Sequence, residues 1–285
     1  MPRKTARRIT EEQRAFIDFR KARGAFTKAI RKARKLPPDV QDTFLNKVCY
    51  AAFAKFYRQH MRRHHEVFGS IMSDFIKSGH IQESGAFLDC AGGDGSQYFI
   101  DLDSKTNQTL IPLAQYLKEK RIPLIFNDLS PAMLEAARQN FSGSDVNVTF
   151  TNYDVRDLAR KYAGTYKIRS ALCSYCIHGF PEPKVISVRG FVDALEPGGR
   201  VFDLQERRAG VITIPKTLDK ISGDILFVAT MLLAVEKEIG PESLKILYTS
   251  KCRLEYLEQI IHAVDDTPDH DLIGNVYEKP MGDSV

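Results

Sequence analysis

Long hydrophobic runs are missing from this sequence. The longest, Ile225 to Val235, falls well short of the ~20 residues that a membrane-spanning helix needs, so no span is expected. The amino terminus lacks the apolar core of a secretory signal, and a cytoplasmic location is expected. Cysteine is sparse: Cys49, Cys90, Cys173, Cys176 and Cys252 are odd in number and widely spread, which does not read as a disulfide framework. Cys173 and Cys176 form a CxxC, but no second pair or histidine cluster completes a zinc site, so no metal is expected. A P-loop needs Gly-Lys-Ser or Gly-Lys-Thr, and neither occurs. The dinucleotide fingerprint would run through Gly93 and Gly95 to Tyr98, where a third small residue is required, and that mismatch argues against NAD.

Hydrophobic residues make up 43% of the 285, enough for a sizeable core and too many for a disordered chain. The net charge of +5 hides an asymmetry. Residues 1–35 hold thirteen Lys or Arg against three acids, while the remainder is acidic on balance, with 28 basic and 33 acidic residues. Such an arm can bind phosphates of nucleic acid or anionic lipid, or can be a solvated tail. Glu11, Glu12 and Asp18 argue against a mitochondrial presequence.

The chain divides near residue 80. Residues 1–80 read as a basic helical extension. One helix covers about 10–36 and ends at Pro37-Pro38. A second, about 39–60, carries Phe44, Val48, Ala51, Ala52, Phe56 and Tyr57 at helical spacing and continues into an apolar stretch ending near Ile76. Beyond a Gly- and Ser-containing linker, residues 81–285 alternate short apolar runs with helices. Strands are expected at 86–91, 122–128, 147–152, 169–175 and 200–205, with a helix at 131–140. This alternation predicts an α/β fold: a Rossmann-like parallel sheet with helices on both faces. Thr249-Ser250 reads as the cap of a helix through Val264, and 271–279 as a final strand.

Four loops carry the chemistry. Asp89 ends the first strand, and Gly92, Gly93 and Gly95 follow, where missing side chains let the backbone approach a ligand closely. Asp128 ends the second strand, where a carboxylate can accept hydrogen bonds from both ribose hydroxyls. Ser130 and Pro131 then start a helix as cap and first residue. Asp154 lies just past the third strand, and Glu196 to Arg200 turn into the fifth.

In this combination and order, residues 85–205 resemble the class I S-adenosylmethionine-dependent methyltransferases. The resemblance implies that Asp89, Ala91, Gly92, Gly93 and Gly95 face the methionine part of S-adenosyl-L-methionine. Asp128 would hold the ribose, Leu129 and Met133 would line the adenine pocket, and Asp154 and Val155 would form its corner. Cys173, at the end of the fourth strand, joins the same cofactor-binding set. The sequence departs from the family in having Ala91 at the first loop glycine and Arg169 near the start of the fourth strand. Its interval between glycine loop and ribose acid is also long, and the polar excess at 101–108 reads as a surface insertion.

Methyl transfer asks the protein mainly for position and desolvation, with a base only for protonated acceptors. His178 is the candidate base and Tyr175 the candidate orienting group, both just after the fourth strand. His178 can equally pack or bond to backbone. The run around His178 is similar to the loop of small-molecule methyltransferases, and no Asn-Pro-Pro-aromatic motif or Pro-Cys nucleophile is present. Two regions can enclose the acceptor: the amino-terminal segment with Phe53, Phe56, Tyr57, His60, His64 and His65, and a helical lid at 211–240, whose apolar run 225–235 can instead form a core or homodimer helix. A small hydrophobic or aromatic acceptor is the first reading. An RNA or protein acceptor docked by residues 1–35, and a non-catalytic binding protein, are the alternatives.

Overall fold

A strand with two apolar faces is stable only between neighbours that satisfy its backbone and helices that cover both sides. The chain meets both conditions. In a computed structural model, residues 11–33, 35–37, 44, 50–103, 106–174, 176, 184–208, 245–254 and 270–279 are described. Two long helices come first, α1 (Glu11–Ala33) and α2 (Tyr50–Lys77). The sheet domain follows with β1 (Ala86–Asp89), a 3-10 turn (Ser96–Phe99), a small hairpin of β2 (Leu102–Asp103) and β3 (Gln108–Thr109), and α3 (Leu113–Glu119). Next are β4 (Leu124–Asn127), α4 (Pro131–Phe141), β5 (Val148–Thr151), α5 (Leu158–Tyr162), β6 (Ile168–Ser174) and α6 (Lys184–Val192). The long strands β7 (Leu195–Arg208), β8 (Lys245–Leu254) and β9 (His270–Glu278) end the described chain.

The main sheet runs β5-β4-β1-β6-β7-β9-β8. Its first five strands are parallel, whereas β9 pairs antiparallel with both β7 and β8. From β1 the chain moves outward through β4 to β5, then returns to the other side of β1 for β6 and β7. The order therefore reverses between β1 and β6, and in open α/β sheets ligands bind beyond the carboxyl ends of the strands at such a point.

Side-chain alternation divides the core. Phe87, Leu124, Phe126, Leu172, Phe202 and Leu204 point to one face, where α2, α3 and α4 cover them. Leu88, Ile125, Ala171, Cys173 and Val201 point to the other, under α5 and α6. Helix α2 supplies Val67, Phe68, Ile71, Met72, Phe75 and Ile76 to the first core as one helical stripe. Residues 67–76 are thus part of the sheet domain, and the turn at 78–85 does not divide two cores. Gly69 lets this helix seat closely, since a Cβ there would stand 2.8 Å from Ile100.

The expected strands and the helix at 131–140 are present, and the second helix continues through the apolar stretch to Lys77 as α2, but two readings change. The segment holding Thr249 and Ser250 is not a helix start. It is strand β8, with Thr249 opposite Asn275 and Ser250 opposite Gly274. The polar stretch 101–108 is not merely a surface insertion, because the hairpin tucks Asp103 inside, where its carboxylate accepts from Ser70 Oγ at 3.2 Å. The lid at 211–240 and the remainder of the helix predicted to Val264 lie outside the described residues.

Candidate active site

The loop after β1 is shaped by what lies beneath it. Gly92 passes over the ring of Phe126, and a Cβ there would fall 2.2 Å from its Cζ. Gly95 has φ of +68° and faces Phe141. Gly92 N–H donates to Asn127 O at 2.9 Å, and Asn127 Nδ2 donates to Cys90 O at 3.0 Å, so the loop is bonded to the end of β4 from both directions. No side chain but hydrogen fits between loop and strand.

Asp89 is buried at the foot of this loop. Its carboxylate accepts from Tyr98 Oη at 2.8 Å and from Ala91 N–H at 3.3 Å. Burial pushes its pKa up to about 7, against those two bonds, which hold it down. Asp128 at the end of β4 accepts from Gly93 N–H at 2.8 Å and Ser130 N–H at 2.8 Å, one on each oxygen. Burial raises it to about 6 despite both bonds. Each oxygen keeps a further lone pair for an incoming donor.

Ser130 precedes α4 as its cap, and Pro131 is the first helical residue, but the Ser130 hydroxyl makes no capping bond. Ser130 Oγ and Gln97 Oε1 are buried with no partner among the described residues. Two such polar atoms beside the same loop are able to bond polar groups of a ligand. Met133 is buried near this helix start, and Leu129 is partly open. Asp154, past β5, is engaged by its neighbour: Arg156 Nε donates to it at 2.9 Å and Arg156 Nη2 at 2.7 Å. Burial would raise Asp154, but these bonds outweigh it and hold its pKa below the usual carboxylate range. The Val155 side chain belongs to the core under α6.

Across the switch point, β6 places Cys173 beside β1, and its Sγ lies 2.9 Å from Cys176 Sγ. In the sequence, Cys176 reads only as half of an incomplete zinc motif. Tyr175 and His178 lie outside the described residues, as does the His60 side chain.

Helix α2 contributes two groups of the amino-terminal segment expected to enclose the acceptor, and their contacts with the glycine loop are what the sequence did not reveal. A Cβ on Gly93 would meet Tyr57 Cε1 at 3.1 Å and Tyr57 Oη at 3.4 Å, so this ring lies over the glycine loop beside Asp128. His65 is buried beneath the loop, with Nδ1 3.0 Å from Ser96 Oγ. Ser96 gives its only hydrogen to Asp94 Oδ1 at 2.8 Å, so the histidine must donate from Nδ1. Burial, followed by His64 and Arg58, lowers His65 to about 3, so the ring is neutral. His65 is therefore a strut of the loop. Its signal was helical spacing toward the core, eight residues after Tyr57.

A cavity of about 710 Å³ lies elsewhere, lined by Gln82, Lys120, Arg169 and Arg200 among others. Its cations are engaged: Arg200 with the Gly79 and His80 carbonyls, Arg169 with Pro197 O, and Lys120 with Glu83. It borders none of the switch-point residues and is a seam between the turn at 78–85 and the start of the strands.

Residues 101–199 match the family model of a methyltransferase domain. The match starts beyond the glycine loop and contains Asp128, Asp154 and Cys173. No curated protein matches the sequence. Among solved structures, an S-adenosylmethionine-dependent methyltransferase from Methanosarcina mazei is similar at 13% identity and TM-score 0.47, over 72% of this chain and 97% of that one. A second, from Geobacter sulfurreducens in complex with S-adenosyl-L-homocysteine, has 12% identity and TM-score 0.47, over 74% and 90%. A third concerns the conversion of a disulfide bond into a thioacetal group during echinomycin biosynthesis, with 18% identity and TM-score 0.49, over 74% and 81%.

Proposed function

We propose that the chain is a class I, S-adenosylmethionine-dependent methyltransferase and that it methylates a small hydrophobic or aromatic acceptor at the carboxyl ends of β1, β4 and β6; the methyltransferase-domain model that residues 101–199 match supports the reading. The observation that carries the cofactor assignment is the bond from Gly93 N–H to Asp128, which ties the glycine loop to a ribose-type acid at the switch point. The residues present fit the cofactor: the loop leaves room only for hydrogen at Gly92, Asp128 keeps spare acceptor capacity, and Ser130 Oγ awaits a partner.

In this reading Asp128 accepts the ribose hydroxyls. The Asp89, Ala91, Gly92, Gly93 and Gly95 segment lies along the methionine part, and Leu129, Met133, Asp154 and Val155 border the adenine. S-Adenosylmethionine, when bound, supplies a methyl group already activated on a sulfonium sulfur. The protein's task is then to align the acceptor and exclude water. Tyr57, over Gly93, closes the crevice on the side of α2. His178 takes the acceptor's proton where one must leave, and Tyr175 orients the acceptor.

Two substitutions test this reading through different constants. Asp128→Ala removes charge-assisted bonds worth ~1.5–3 kcal/mol each. S-Adenosylmethionine binding should weaken at least ~10-fold by calorimetry. His178→Ala should leave that affinity nearly unchanged and lower kcat by ~10²–10⁴ with an acceptor that needs deprotonation. Wild-type affinity in a folded Asp128→Ala protein would overturn the cofactor assignment.

A second reading, an RNA acceptor, is favoured by α1. Arg20, Lys21, Lys28, Arg31 and Lys32 are all exposed. At 100° per residue their positions fall within roughly 120° of the helix surface. Gly24, on the same side, has nothing within 4 Å of its Cβ position.

A further inference from the structure

Two thiols stand near the switch point: Cys173, which the resemblance puts in the cofactor-binding set, and Cys176, which has no role in the reading above. Cys173 is fully buried at the end of β6, and Cys176 is partly open three residues later, with their sulfurs 2.9 Å apart. Both are free thiols. In the parallel ladder Asp89 stands opposite Leu172, so this pair adjoins the acid at the foot of the glycine loop. Among the described residues no group of three metal-ligating side chains could hold a metal ion, so the CxxC is not completed as a metal site there. Chain geometry leaves the two sulfurs needing to close by less than ~1 Å to reach bonding distance.

We propose that Cys173 and Cys176 form a reversible disulfide, made by exchange with small-molecule disulfides, that controls the crevice beside β6. Cys176, the more open of the two, is the entry point. Its thiolate attacks one sulfur of the small disulfide, that S–S bond breaks, and one small thiol leaves. Cys173 then attacks Cys176 Sγ, the mixed disulfide breaks, and the second small thiol leaves. The protein dithiol is oxidised by two electrons, the small disulfide is reduced to two thiols, and the two cysteine protons end on them.

The bond would tie residue 176 to the end of β6. That end of β6 lies beside Asp89 at the foot of the glycine loop, so oxidation alters the crevice there and lowers turnover. Burial raises both thiols, Cys176 with an opposing contribution from its bond to Cys173. Exchange should therefore be slow at neutral pH and accelerate by up to about tenfold per pH unit below the thiol pKa.

The consequence for turnover rests on the methyltransferase reading, whereas formation of the bond does not. The test incubates the full-length reduced protein with glutathione disulfide, then blocks remaining thiols and digests with trypsin. Residues 170–184 contain both cysteines between Arg169 and Lys184. That peptide should carry no blocking group and be lighter by about 2 Da than the unblocked dithiol peptide, the two hydrogens lost on disulfide formation, and regain them with dithiothreitol. Cys173→Ser should retain a glutathione adduct on Cys176 that the wild type resolves. A persistent adduct in the wild type, a bond to Cys90 instead, or an unreacted peptide at pH 9 would each overturn the proposal. So would a disulfide-bonded protein that turns over at the reduced rate. Reduced protein that fails to bind S-adenosylmethionine would count against the methyltransferase reading alone, since the peptide mass still reports the bond.

Discussion

Asp128 must be ionised to accept two hydroxyl hydrogens, and burial holds its pKa up at about 6. Acidification should therefore weaken cofactor binding: the dissociation constant rises by up to about tenfold per pH unit below pH 6, the limit for one titrating group. Asp89, held up at about 7 by burial, acts in the same direction if the cofactor's ammonium lies near it. Calorimetry from pH 5 to 8 checks this, with Asp128→Asn expected to flatten the Asp128 part. A wild-type constant that is flat across that range would show that neither acid meets the cofactor. Stability carries an opposite pair of signs. His65 is neutral when folded down to about pH 3, whereas an unfolded histidine takes a proton below ~6.5. Its contribution is lost as pH falls below that value, at on the order of 1 kcal/mol per unit. Asp89 and Asp128, raised in the fold, hold protons that the unfolded chain has released, so they destabilise as pH rises from ~4 toward 7. Denaturation of wild type and His65→Gln at pH 5 and 7.5 isolates the histidine. The advantage of wild type should shrink at pH 5, and an unchanged advantage would mean that His65 takes up its proton over the same pH range in the folded and unfolded chain.

At the scale of one element, the glycine loop depends on β4. Gly92→Ala would force a methyl group into Phe126, which is fully buried among Tyr98, Phe141 and Phe150. Neither side can yield freely, so overpacking should cost ~1–3 kcal/mol. A lower Tm together with weaker cofactor binding is the expected outcome. Phe126→Leu in the Gly92→Ala background should recover part of the binding, because the ring is the obstacle. Unchanged binding and Tm in Gly92→Ala would mean that the loop does not rest on this ring. The same scale explains the misread strand β8. Thr249 and Ser250 are residues that cap helices locally, but opposite Asn275 and Gly274 their backbone is satisfied by β9. Pairing between distant segments overrides a local preference of about 1 kcal/mol.

Across the whole molecule, charge is divided: the amino-terminal arm is basic and the remainder acidic on balance. Helix α1 packs against α2, and α2 places Tyr57 over the glycine loop, so the basic helix is linked to the crevice through one partner. If its face docks RNA, replacing Arg20, Lys21, Lys28, Arg31 and Lys32 with Gln should weaken RNA binding. It should also reduce the slope of log affinity against log salt by up to ~0.7 for each phosphate that is no longer neutralised. Fluorescence anisotropy across a salt series checks this. Identical curves for wild type and variant would make α1 a solvated surface and leave the small-acceptor reading alone. Among the described residues no helix is long and apolar enough to cross a membrane.

What the sequence by itself determined is everything that depends on period and local chemistry. Alternating runs such as 86–91 and 122–128 became parallel strands because their side chains are apolar on both faces. The acid-then-glycine order at Asp89 to Gly95, and the Ser130-Pro131 helix start, are local backbone instructions that need no distant partner. Tertiary structure decided the rest. Only pairing order places Asp89 beside Leu172, next to Cys173 and its neighbour Cys176, and only packing carries Tyr57 and His65 from α2 to the glycine loop, about thirty residues further along the chain. Such juxtapositions arise from the burial of α2's stripe on the sheet. That free energy is summed over Val67, Phe68, Ile71, Met72, Phe75 and Ile76 and written in none of the residues it brings to the site.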